Sequence, residues 1–158
     1  MVSGNSFTWM EFVGLYVHLA GFVIGLGAVT VIDLHGFLGR KSPYWTEATT
    51  RTHKVTKPLI WLGLLLGIIG AIIFYRNRGW SPALIAQVII VCALIINGIF
   101  LSFKVSPFLI QREKEGRAAE LLPTAWQKKI TIAFLISFAG WWGELFLTVY
   151  QVMLYRLH

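Results

Sequence analysis

The chain has 158 residues, of which 56% are hydrophobic and only 13% charged, with a mean hydropathy of +0.68 and a formal net charge of +7. A soluble domain carries about 25% charged residues, so this composition excludes an ordinary soluble globule and fits one membrane domain of about four spans at ~20 residues each. The basic excess does not come as a Lys/Arg run with interleaved aromatics, so it points to loops at an anionic membrane surface and not to nucleic acid.

The first eight residues carry no Lys or Arg. The apolar stretch after them is longer than a signal-peptide core, which predicts a permanent span and not a cleaved leader. The first span is predicted from Trp9 to about Leu34. Gly14, His18, Gly21, Gly25 and Ala28 follow one another at steps of 4, 3, 4 and 3. That spacing gives one small, smooth helix face with a single imidazole in it. The other three spans are expected to pack against this face. Asp33 and His35 mark the far edge of the span.

A basic loop follows, and the segment from Thr46 to Lys57 reads as a short surface helix. The second span is predicted over 58–75, with Pro58 in its first turn, where a missing N–H costs nothing. Gly63, Gly67 and Gly70 repeat the small-residue spacing, and the seam extended backwards passes through Ile60, Thr56 and His53. A tight turn over 76–80 leads to the third span, 81–103. Its small and polar seam is Ala83, Ala86, Ile90, Ala93, Asn97, Phe100 and Lys104, with Gln87 beside it. The lone cysteine, Cys92, sits in an apolar run and reads as a small buried hydrophobe. Ser106-Pro107 is expected to break the helix. A polar, partly helical loop over 111–129 precedes the fourth span, 130–155, whose stripe is Ala133, Ser137, Gly140, Glu144, Thr148 and Gln151. The expected fold is therefore an all-α polytopic membrane four-helix bundle, a single domain over 1–158.

The loop between spans one and two holds five Lys and Arg, and the region from Lys104 to Lys129 holds six, against three on the other side. The excess belongs in the cytoplasm, so both termini are expected outside, in a bacterial-type inner membrane. At 1.5 Å per residue, His18, Gln87, Gly67 and Glu144 all fall ~10–17 Å below the outer surface. A pocket of His18, Glu144 and Gln87 in the outer half of the bundle is the sharpest expectation from depth alone.

Three readings of that pocket stay open. A neutral imidazole can ligate heme iron or another metal. A His–Glu pair can relay protons. An interhelical hydrogen bond can simply hold the bundle together. His35 is seventeen residues from His18, ~25 Å along the helix, and His53 lies at that same far end. Neither can share an iron with His18, so a heme would have one histidine ligand. Asp33, His35 and His53 form a separate group at the cytoplasmic edge, read as ordinary interfacial residues with a metal set as the alternative. Trp9, Trp45, Trp80 and Trp126 read as interface anchors. Trp61, Trp141 and Trp142 lie deeper, where they read as core or lipid-facing packing or as walls for a flat cofactor.

The run Tyr16-Val17-His18-Leu19-Ala20-Gly21, the basic loop, and the Thr56-Lys57-Pro58 element opening a glycine-rich span resemble the small four-span membrane proteins that include HemJ-type protoporphyrinogen oxidase and the membrane domain of copper-resistance protein CopD. Where HemJ-type proteins have a His and Lys pair near the start of span three, this chain reads Ala83-Leu84-Ile85-Ala86-Gln87. The resemblance implies heme binding through His18. The combined expectation is a small b-type heme or porphyrin-binding redox protein. His18 is its metal ligand, Gln87, Gly21, Gly67 and Trp141 line the cofactor, and Glu144 is the catalytic or proton-handling group. A redox partner in the membrane would follow. The alternatives are a proton-linked transporter, or an accessory subunit of a larger complex, with the glycine faces serving a homo-oligomer equally well.

Overall fold

A computed structural model describes residues 8–157. Helix α1 runs Trp9–Gly39, α2 Pro43–Tyr75, α3 Pro82–Phe100, α4 Ser106–Lys114 and α5 Thr124–Leu157. A π-helical turn, Leu101–Val105, joins α3 to α4 into one rod. Four helices are long and apolar enough to cross a membrane: Trp9–Gly39, Pro43–Tyr75, Pro82–Lys114 and Thr124–Tyr155. The chain is an all-helical, multi-pass membrane bundle. The ends of α1 and α5 and the α2–α3 turn share one end, called here the terminal end. The α1–α2 and α4–α5 connections share the other, the loop end.

The termini of these helices follow local chemistry. Thr8 and Glu11 form a reciprocal capping box, Glu11 N–H donating to Thr8 Oγ1 at 3.2 Å and Thr8 N–H to Glu11 Oε2 at 2.9 Å. Ser81 caps α3 by accepting from Leu84 N–H at 3.1 Å, with Pro82 at the first helical position. At the terminal end the predicted and observed boundaries agree to within about a turn.

The loop end differs from expectation. The segment over 46–57 is not a separate helix but the first half of α2, which passes through Pro58 without ending. Threonine hydroxyls bond back onto the backbone along its first half: Thr46, Thr50 and Thr56 each donate to the carbonyl four residues back, and Thr46 also donates to Gly39 O at 2.7 Å. A proline in a membrane helix is tolerated where other groups stabilise the backbone around it. Ser106-Pro107 likewise does not break the third rod. The wide π turn before it, closed by Ser106 N–H donating to Leu101 O, precedes a proline that has no N–H to give. α2 therefore has 33 residues, ~50 Å at 1.5 Å each, against ~30 Å of bilayer core. The surplus carries polar bonds suited to water, such as Arg51–Glu47 and Lys54–Glu113. Buried Arg112 donates to the carbonyls of Arg117, Glu120 and Leu121 and thereby folds the loop back onto α4.

The glycine faces of α1 and α2 are used up against each other. A Cβ added at Gly63 would lie 2.5 Å from Gly25 Cα, one at Gly21 2.5 Å from Gly67 N, and one at Gly70 would collide with the His18 backbone. α5 packs on α1 and α3 packs on α5, but α3 does not build an interface with α1. The expectation that three spans share the α1 face is thus corrected to two. α2 and α3 are joined by a tight turn yet make no substantial interface, which leaves a gap between them.

Gly63→Ala is expected to force α1 and α2 apart, at about 1–3 kcal/mol. Gly27→Ala, whose Cβ meets nothing within 4 Å, should leave the thermal transition in detergent unchanged. A Gly63→Ala transition equal to wild type would contradict the close seam.

Candidate functional site

The gap between α2 and α3 forms a crevice of about 540 Å³ at the terminal end. Its rim includes Ile72, Val88 and Cys92, all exposed on the outer surface of the bundle. Cys92 is therefore not a buried hydrophobe. It sits at the edge of the opening because α3 has no neighbour on that side. Arg76, Arg78 and Trp80 stand at the mouth. Arg78 pairs with Glu11 at 3.4 Å and lies 3.8 Å over the Tyr155 ring, tying α1, α5 and the turn together.

The back wall brings His18, Gly67, Gln87, Trp141 and Glu144 to one place, from all four rods. Gly21 is not on that wall. Its role is the backbone contact with Gly63 and Gly67. His18 is 4% exposed and set by three contacts. Its Nδ1 donates to Gly67 O at 2.6 Å, a bond open only to the Nδ1–H form. Its Nε2 lies 3.0 Å from Thr148 Oγ1, and its ring meets Phe22 edge-on at 4.8 Å. Phe22 in turn meets Trp141 edge-on at 6.1 Å.

These bonds have one consistent direction. Gln151 Nε2 donates to Gln87 Oε1, and Gln87 Nε2 donates to Thr148 Oγ1 at 2.9 Å. The Thr148 hydroxyl is then left to donate to His18 Nε2, and His18 Nδ1–H donates to Gly67 O. A chain in which each donor is also an acceptor polarises along its length. In its neutral form the imidazole is held by this chain in one tautomer, with Nε2 as the acceptor. Thr148, 1% exposed, is the residue the sequence did not single out. Its signal was its place one turn beyond Glu144 on the polar stripe of α5.

Glu144 lies beside this chain, next to Gln87. It is 3% exposed and lines the crevice, and its Oε1 has no hydrogen-bond partner among the described residues. A buried carboxyl oxygen without a partner in an apolar wall is costly.

Axial ligation of heme does not fit this arrangement. Nε2, the nitrogen iron would need, faces Thr148 on α5, and Nδ1 is held by the Gly67 carbonyl. Among the described residues no group of three or more His, Cys, Asp or Glu could hold a metal ion. At the loop end, Asp33 and His53 line a common cavity, while His35 turns to meet Trp45 at a tilt, ring centroids 5.1 Å apart. The deeper tryptophans divide: Trp141 is buried, Trp142 faces outward, and Trp61 donates to Ser102 Oγ at 3.1 Å. No family model matches the chain, and neither a curated protein nor a solved structure does.

Thr148→Val should cost about 1–3 kcal/mol by leaving His18 Nε2 and the Gln87 amide unpaired, read as a lowered unfolding midpoint in detergent. Thr148→Ser should retain most of the stability. Equal loss in both variants would show that the hydroxyl is not what matters.

Proposed function

We propose that the chain binds a flat, lipid-soluble tetrapyrrole in the α2–α3 crevice, as the metal-free porphyrin and without iron ligation by His18. The observation that carries this reading is the unpartnered Glu144 Oε1 on the wall of a largely apolar crevice. A ligand bringing an N–H donor to that oxygen would satisfy it, as a pyrrole N–H can once the macrocycle puckers and turns it out of the ring plane. The volume falls within the ~300–1,000 Å³ of ordinary ligand pockets. The side opening suits a ligand arriving from the bilayer, and exposed Arg76 at the mouth suits acidic substituents that remain at the interface. The resemblance to the HemJ and CopD group supports the same ligand class. His18 then serves as a fixed, neutral wall that positions Thr148 and Gln87. The excess of Lys and Arg near the loop end favours a cytoplasmic loop end, with both termini outside an inner membrane.

Titration of the detergent-purified protein with protoporphyrin IX should quench tryptophan fluorescence saturably, since Trp80 and Trp141 line the crevice. Ala71→Phe, which fills it, should abolish the effect. Glu144→Gln should weaken binding roughly tenfold, or about 1.4 kcal/mol. A parallel titration with hemin should give no Soret band that depends on His18. Quenching unaffected by Ala71→Phe would overturn the crevice as the site, and a Soret band lost in His18→Ala would restore iron ligation.

A further inference from the structure

A second cavity, of about 100 Å³, lies at the loop end between α1, α2, the third rod and α5. Its polar lining comes from Asp33, His53, Lys57, Asn97, Ser102 and Ser137. Two of these groups are incomplete: Asp33 Oδ2 and His53 Nε2 are sealed from solvent with no hydrogen-bond partner among the described residues. One water needs only ~10–15 Å³ of such space and two or more polar partners. The chamber has room for several, and the two orphaned atoms are the partners they would take.

The two cavities lie end to end. Leu64 of α2, Leu94 of α3 and Trp141 of α5 line both of them. All three are buried and belong to one apolar cluster with Phe22 and Val29. Glycines seat them: Trp141 closes over Gly25, and Leu94 over Gly140. A single layer of side chains therefore separates the two cavities, while Asp33 lies fifteen residues, ~22 Å, along α1 from His18. Hydrophobic constrictions of this kind pass water and protons only when they wet.

We propose that the bundle conducts protons between its two ends, with Asp33 and Glu144 as the carboxyl stations and the Leu64–Leu94–Trp141 layer as the gate. In the inward direction the O–H bond at Glu144 breaks as a water at the wetted gate takes the proton. The Glu144 carboxylate regains a proton from water at the terminal end, and waters through the gate and chamber relay the first proton onward. An O–H bond then forms at Asp33, which passes the proton to a chamber water and on to the loop-end solvent. No electron moves, and the electrochemical gradient across the membrane supplies the drive. His53 and Lys57 of α2 are the charged or titratable groups that share the Asp33 chamber. His18 of α1 and Tyr75 of α2 share the Glu144 crevice, with Arg76 and Arg78 at its mouth. The proposal stands without a bound porphyrin, because both chambers are formed by the chain alone.

The test uses the full chain reconstituted in liposomes containing a pH-sensitive dye, with a potassium gradient and valinomycin imposing a voltage. Proton flux above that of protein-free liposomes is expected. It should be lost in Asp33→Asn and in Glu144→Gln, restored in Asp33→Glu, and raised in Leu94→Ala. Flux equal to protein-free liposomes, or flux retained in both carboxyl variants, would overturn the proposal. Should the carboxyl variants fail to fold, Leu94→Ala decides alone, because an unchanged flux there removes the gate. Porphyrin titration of the same Asp33→Asn protein should be normal, so loss of flux and loss of binding are separable.

Discussion

Where α1 and α2 cross, Gly21 and Gly25 meet Gly63, and Gly14 and His18 meet Gly70, with no side chain between the two backbones. In lipid there is no hydrophobic drive to press helices together, so close packing and interhelical hydrogen bonds must do so. This contact does both. It brings the Gly67 carbonyl within 2.6 Å of His18 Nδ1, and that bond fixes the ring. The ring then offers Nε2 to Thr148, which places α5, and Thr148 accepts from Gln87, which places α3. The position of all four rods at the terminal end follows from one glycine seam and one imidazole.

The same seam explains why there is a crevice at all. α2 spends its small face on α1, and α3 packs on α5, so α2 and α3, though consecutive, build little contact with each other beyond Trp61 against Gly98. The gap between them opens on the bilayer side and is walled by the residues the seam has oriented. Glu144 Oε1 ends in that gap with no hydrogen-bond partner among the described residues, as does the Tyr75 hydroxyl on the same crevice. Thr148 and Gln151 of the same stripe are bonded. The unsatisfied carboxyl oxygen facing the crevice is the observation on which the proposed binding rests.

Much of this was legible in the sequence. The steps of 3 and 4 through Gly14, His18, Gly21 and Gly25 mark one helix face, and counting residues from Trp9, Tyr75, Trp80 and Tyr155 puts His18, Gly67, Gln87 and Glu144 at one depth. Periodicity does not say which face meets which helix, so the partner of His18 could not be chosen among Thr148, Gln87 and Glu144. Nor could the missing α2–α3 interface be read, since neighbours in sequence are the default neighbours in space. Pro58 and Pro107 misled for a related reason. Proline removes a local hydrogen bond, but the loss of one bond does not end a helix: α2 runs on through Pro58, and a π turn carries the third rod up to Pro107, and neither outcome is visible from the proline itself. The long polar extensions at the loop end were obscured by the same prolines.

The central claim is that Glu144 is held without a partner in order to meet a ligand. The infrared difference spectrum between the porphyrin-bound and free protein tests it directly. The account predicts a change in a carboxyl band on binding that is present in the wild type and absent in Glu144→Gln at saturating porphyrin. A difference spectrum with no carboxyl change, or one that persists in Glu144→Gln, would contradict it.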